Sequence, residues 1–210
     1  MPTILTRRIE SLSAQPDRAG RYKVLFSDGS VMRLYKQTVQ DFCLYNGLEM
    51  EEKELEKLRA SAAEMSAKMR AVRIVSASSV SKKDLEQRLL QKGEDAQCAK
   101  NAVLWMEELN LLDDKKTAEG IVSRCISKGY GLARAKQALY EKRIPKEYWQ
   151  EVLADYPDQT DSIRVYLDAH LPAEPDRKEL KKVIDALLRK GHSYSAIRRV
   201  LDCGDVLEDE

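Results

Sequence analysis

The chain has 210 residues, 43% hydrophobic and 34% charged, with 36 Lys and Arg against 35 Asp and Glu. Only nine Gly and six Pro interrupt a composition of this kind, which suits a helical, soluble protein with modest cores and a highly charged surface. No stretch approaches the run of about 20 apolar residues that a bilayer-spanning helix needs, and no apolar core follows Arg7 and Arg8, so neither a membrane span nor a secretory signal is expected.

In chain order, Ile4 to Leu12 has the composition of a short strand. Tyr22 to Phe26 and Val31 to Tyr35 are two β-favouring runs around Ser27-Asp28-Gly29-Ser30, a hairpin signal because Gly accepts the positive φ of a tight turn. A two- or three-stranded sheet of this size needs a helix over one face. Thr38 to Tyr45 is expected to supply it, with Val39, Phe42 and Cys43 on one stripe and Asn46-Gly47 as the stop.

From Glu51 to Ala77, Leu55, Leu58, Ala62, Met65, Met69, Val72 and Val75 recur in three- and four-residue steps, the period of a buried helical stripe. A break at Ser76 to Ser81 precedes a helix over Lys82 to Lys92 with Leu85, Leu89 and Leu90 inward, and a third over Asp95 to Leu109. The pattern then repeats. Asp114 to Lys128, Leu132 to Lys142 and a helix opened by Pro145 form a second set, with Gly129-Tyr130-Gly131 at the first break. Ile163 to Leu171, Asp176 to Lys190 and a helix capped by Ser193 form a third.

The middle helices align as Leu85-xxx-Leu89-xxx-Gly93, Ala135-xxx-Leu139-xxx-Arg143 and Ile184-xx-Leu187-xxx-Gly191, about 50 residues apart. Chance likeness between amphipathic helices is the alternative to a true repeat. The expected architecture is mainly α: three tandem three-helix repeats stacked into an elongated, curved module behind a small N-terminal β-hairpin and helix. The expected divisions are 1–50, 51–113 with a long lead-in helix, 114–157, and 158–210 including an acidic tail.

Catalytic and metal-binding patterns are not found. His170 and His192 lie at no metal-ligand spacing, Cys-x-x-Cys does not occur, and no nucleophile, base and orienting group can be assembled. Gly129-Tyr130-Gly131 reads as a helix-to-helix turn, and Glu107-Glu108 and Asp113-Asp114 as helix-end charges. Cys43, Cys98, Cys125 and Cys203 read as buried free thiols of a reducing compartment, the cytoplasm. A binding protein without cofactor or metal is expected, not an enzyme.

The positive signal is charge segregation. Residues 115–153 hold 9 basic and 4 acidic side chains, 176–201 hold 8 and 3, and the acidic stretches 154–175 and 202–210 follow them. Tyr130, Arg134, Lys136, Lys142 and Arg143 in the second repeat, with Lys181, Lys182, Arg189, Lys190, Arg198 and Arg199 in the third, are the candidate docking residues. Lys82, Lys83 and Arg88 are the candidates of the nearly neutral first repeat. Arg and Lys beside Tyr130, Tyr140 and Tyr194 suit phosphate backbones or an acidic protein face, whereas a merely solvated helix surface would also be rich in lysine.

Ser81-Lys82-Lys83-Asp84-Leu85 through Lys92-Gly93 resembles the first-repeat signature of the RecX family, regulators of the RecA recombinase. Leu109-Asn110-Leu111-Leu112-Asp113-Asp114 with Ala118 is similar to the family's link into its second repeat. Lys128-Gly129-Tyr130-Gly131 with Ala135, Leu139 and Lys142-Arg143-Ile144 is similar to the stretch that follows. The N-terminal strands and Gly47-Leu48 resemble an extension carried by some members. Two departures stand out: Arg143 occupies a position usually held by glycine, and Ser78 and Ser79 a stretch where arginine is common. The resemblance implies a non-catalytic monomer that lies along the RecA–single-stranded-DNA filament, hinders ATP hydrolysis and strand exchange, and so modulates recombination and repair. It also implies RecA as partner and leaves direct contact with single-stranded or duplex DNA open. A helical adaptor or DNA-binding module with no RecA partner is the alternative.

Overall fold

The computed structural model describes residues 6–205, with side chains through Asp202. The expected strand start at Ile4 and the thiol of Cys203 lie outside the described residues. The fold is mainly α, with a small N-terminal sheet, and it divides into two compact units. One holds the residues through Ser78 together with Leu85–Leu112. The other holds Ser79–Asp84 and the residues from Asp113 onward.

In the first unit, β1 (Thr6–Leu12), β2 (Arg21–Phe26), β3 (Val31–Tyr35) and β4 (Glu49–Glu51) form an antiparallel sheet in the order β3-β2-β1-β4. The expected hairpin is present. Its Ser27-Asp28-Gly29 loop is closed by Phe26 N–H donating to Ser30 O at 2.9 Å, with Gly29 at φ 79°. The sheet has one strand more than the sequence suggested, since β4 pairs with β1 through Arg7 opposite Met50. Ile9, Val24, Phe26, Leu34 and Met50 are packed with Leu55 and Leu58 from the start of α2 (Glu52–Ala77), which thus covers one face. Glu51 and Glu54 close a reciprocal capping box at the start of α2.

The expected helix over 38–45 is shorter and shifted. α1 spans Lys36–Asp41, and Cys43 lies beyond it at φ 47°, exposed rather than on a buried stripe. Farther along α2 the fully buried residues are Ala67 and Ala71; Met65, Met69, Val72 and Val75 are only half-buried. Two alanines one turn apart let α4 (Ala96–Glu108) approach with its own buried Ala99 and Ala102. α3 (Lys82–Gln91) buries Leu85 and Leu89, whereas Leu90 is exposed. Adjacent leucines stand about 100° apart around a helix, so only one of them can face the core.

The second unit contains α5 (Asp114–Ser127), α6 (Leu132–Glu141), a 3-10 turn at Lys146–Tyr148 running into α7 (Trp149–Leu153), then α8 (Thr160–His170), α9 (Arg177–Arg189) and α10 (Tyr194–Asp205). Ala118, Ile121, Val122, Cys125, Ala135, Leu139 and Ile144 form one core. Ile163, Leu167, Val183, Leu187, Ile197 and Val200 form another. The pair buried in α9 is Val183 and Leu187, not Ile184 and Leu187. This tightens the repeat: Leu85-Leu89-Gly93, Ala135-Leu139-Arg143 and Val183-Leu187-Gly191 share one spacing. Among the cysteines with described side chains, Cys125 is buried, Cys98 half-buried and Cys43 exposed.

One turn recurs at the helix ends. After α3, Gly93 N–H donates to Leu90 O and Glu94 N–H to Leu89 O, with Gly93 at φ 84°. The same two bonds around a left-handed residue end α1, α4, α5, α6 and α9, at Cys43, Asn110, Gly129, Arg143 and Gly191. Arg143 therefore keeps, at φ 53°, the conformation for which glycine is the easier residue.

Candidate docking surface

The second unit is joined internally at two places, and both decide which basic side chains remain available. At the first, Ser81 Oγ accepts from Asp84 N–H at 3.1 Å, capping α3, and donates to Lys142 O at 2.6 Å after α6. Lys82 N–H donates to Asp114 Oδ1 at 2.8 Å. Arg143 reaches across to the buried Asp84 carboxylate at 3.2 Å. Asp113 caps α5 through Lys116 N–H, as its place at a helix end suggested, while buried Asp114 serves this longer-range junction instead.

At the second junction, the α5–α6 turn meets the α9–α10 turn backbone to backbone. Gly131 N–H donates to Lys190 O at 2.9 Å and Ala133 N–H to Gly191 O at 3.3 Å. His192, 3% exposed, lies with Nε2 3.1 Å from Gly129 O and Nδ1 3.1 Å from Gln159 Oε1. Burial holds its pKa below the ordinary histidine value. Tyr156 donates to Tyr130 O at 2.7 Å, and burial pushes its phenol up to about 12, so it stays a donor. Lys190 Nζ sits 5.5 Å from the Tyr130 ring centre and 4.9 Å from that of Tyr166. Tyr130 and Lys190 are thus half-buried parts of this junction.

The remaining candidates fall into held and unheld groups. Arg134 is paired with Glu141 at 3.2 Å and Arg198 with Asp202 at 3.5 Å. Lys142 is half-buried. In the first unit, Arg88 donates to Ser78 Oγ at 3.3 Å, which ties the departure at Ser78 to a specific partner. Lys83, Lys136, Lys181, Lys182, Arg189 and Arg199 are exposed, with no ion pair among the described residues. Four of these lie on α9 and α10. On α9, Lys181, Lys182 and Arg189 are exposed while Val183 and Leu187 are buried, so the helix divides into a basic outer and an apolar inner face.

A cleft of about 560 Å³ adjoins the first junction. Lys83, Arg143 and Lys146 line it with Tyr140, 67% exposed, and Trp149. Trp149 Nε1 donates to Ile144 O at 3.1 Å, which fixes the ring. Lys83 and Arg143 are among the docking residues expected from the sequence; Lys146 and Trp149 are not. Nothing in the linear spacing brings Lys83 to Lys146; the Ser81–Lys142 bond does. Among the described residues no group of three or more His, Cys, Asp or Glu side chains could hold a metal ion, and no helix is long and apolar enough to cross a membrane.

Comparison with known proteins gives one consistent result. Residues 169–201 match the family model described as RecX, third three-helix domain. A Regulatory protein RecX from Chlorobaculum tepidum is 31% identical over 135 residues, covering 62% of this chain and 83% of the relative. One from Clostridioides difficile is 27% identical over 200 residues, covering 92% and 94%. A crystal structure of regulatory protein RecX superposes with a TM-score of 0.61 at 20% identity, over 93% of this chain and 99% of the other. RecX from Lactobacillus salivarius gives 0.57 at 20% identity, over 70% and 99%. The structural likenesses support the mainly helical fold, and the sequence relationship to the Chlorobaculum tepidum protein carries the assignment: the chain belongs to the RecX family of regulatory proteins.

Proposed function

We propose that the protein is a non-catalytic regulator that binds RecA and its single-stranded-DNA filament, restrains ATP hydrolysis and strand exchange, and so modulates recombination and DNA repair. The observation that carries this reading is the relationship to proteins named Regulatory protein RecX along most of their length. The charge arrangement supports it physically. A filament groove is a long polyanionic and mixed-charge surface, and unheld cations on exposed helix faces supply the long-range attraction that such docking needs. Lys83, Lys136, Lys181, Lys182, Arg189 and Arg199 are the docking residues on this reading. Arg134, Arg198 and Lys142 are secondary contacts, and Lys82, Arg88, Tyr130, Arg143 and Lys190 mainly shape the surface. The protein acts as a monomer in the cytoplasm.

The test is RecA-catalysed ATP hydrolysis and strand exchange on single-stranded DNA with the purified chain added. Both rates fall at stoichiometric protein if the reading holds, and unchanged rates overturn it. Salt-dependent binding to bare DNA, with no gain from RecA, would support the DNA-binding alternative instead.

A further inference from the structure

The geometry points to the cleft beside the Ser81–Lys142 junction as a subsite for single-stranded nucleic acid, in which one base stacks on the Tyr140 ring and the flanking phosphates lie against Lys83 and Lys146. Three observations converge on it. Tyr140 is 67% exposed although it follows fully buried Leu139, so its ring is presented rather than packed. Lys83 and Lys146 are exposed and enter no ion pair among the described residues. The third cation, Arg143, is immobilised at the cleft wall by its 3.2 Å contact with Asp84.

The one carboxylate on the lining does not oppose an anion freely. Glu141 accepts from Gln137 and Arg134, each at 3.2 Å; the two contacts hold its pKa below the ordinary value, so it stays ionised, and the Arg134 guanidinium offsets that charge. Cations around an aromatic platform, on a cleft wide enough for a nucleotide, are the parts that single-stranded nucleic-acid sites use. An acidic peptide would use the cations but has no need of an exposed ring. Duplex DNA would leave the ring unused because its bases are already stacked.

This subsite deepens the filament-binding reading and rests on it for its setting, yet its test requires no RecA. In the full chain with Trp105→Phe, Trp149 is the remaining tryptophan and reports on the cleft. Titration with a short oligothymidylate should quench it. An abasic strand of equal length and charge should bind at least about tenfold more weakly, the loss expected from one stacked base. Tyr140→Ala should lose the same factor for the base-bearing strand only, and Tyr140→Phe should retain binding. Lys83→Ala and Lys146→Ala should each lower the slope of log affinity against log salt by about 0.7. Equal affinity for abasic and base-bearing strands, or wild-type affinity in Tyr140→Ala, overturns the proposal. So does a Tyr140→Ala variant that binds DNA normally but fails to slow RecA, since the cleft would then receive protein. If the wild type leaves RecA unaffected while the Tyr140 dependence holds, the regulatory reading fails and the subsite stands.

Discussion

The carbonyl of Gly191 stands in the space that a β-carbon on Gly131 would fill, and a β-carbon on Gly191 would meet the backbone of Arg134. Gly131 has an ordinary φ of −76°, so its constraint is space alone; Gly191, at φ 90°, is constrained by space and by backbone angle. Gly131→Ala and Gly191→Ala should each destabilise the protein by about 1–3 kcal/mol, read as a lower thermal midpoint. Gly120→Ala is the contrast. That glycine lies inside α5 with open space where its β-carbon would go, so the substitution should stabilise by about 0.5–1 kcal/mol.

His192 should make stability depend on pH. Its native pKa is lowered from the ordinary 6.5 chiefly by burial, so its contribution is complete above about pH 6.5 and is lost as pH falls from there toward the native value. Denaturant midpoints should therefore drop between pH 7.5 and pH 5.5, and His192→Gln should flatten that part of the profile. Equal pH dependence in the two proteins would show that other groups set it.

Arg143 combines an unfavourable backbone angle with a useful side chain. Arg143→Ala keeps the left-handed conformation and loses the contact with Asp84, whereas Arg143→Gly loses the contact but relieves the angle. Both should be less stable than the parent, with the alanine variant the worse by about 1 kcal/mol in chemical denaturation. The reverse order would mean that the angle carries no strain here.

Ser81→Ala removes a helix cap and the bond to Lys142 O together. A loss of about 1–2 kcal/mol is expected. Because the hydroxyl also positions one wall of the cleft, this variant should weaken oligothymidylate binding without changing its salt slope.

The helical frame was legible in the sequence because each core stripe spans several turns and each break carries Gly or a polar cluster. Errors arose where one residue had to be chosen between neighbours. Leu89 and Leu90, or Val183 and Ile184, look alike in periodicity, and only packing decides which is buried. β4 was invisible because Glu49-Met50-Glu51 holds a single apolar residue and owes its strand conformation to β1. Cys43 was misplaced because α1 ends at Asp41 through a left-handed turn that no glycine marks. The basic blocks were legible as composition. Which of their members are held by partners was not, since Arg134 and Arg143 look as free in sequence as Lys136.

The recurrent helix-ending turn has a consequence for how the chain is assembled. Each is completed by hydrogen bonds between residues three and five positions apart, as in Gly93 to Leu90 and Glu94 to Leu89. A nascent chain can close every one of them before the next helix has been synthesised, a low-contact-order beginning that favours fast local folding. What these turns cannot encode is the order of the pieces, because one turn serves six helix ends alike. That order is written in contacts between distant residues, such as His192 with Gly129 across 63 residues, which can form only once both segments are present.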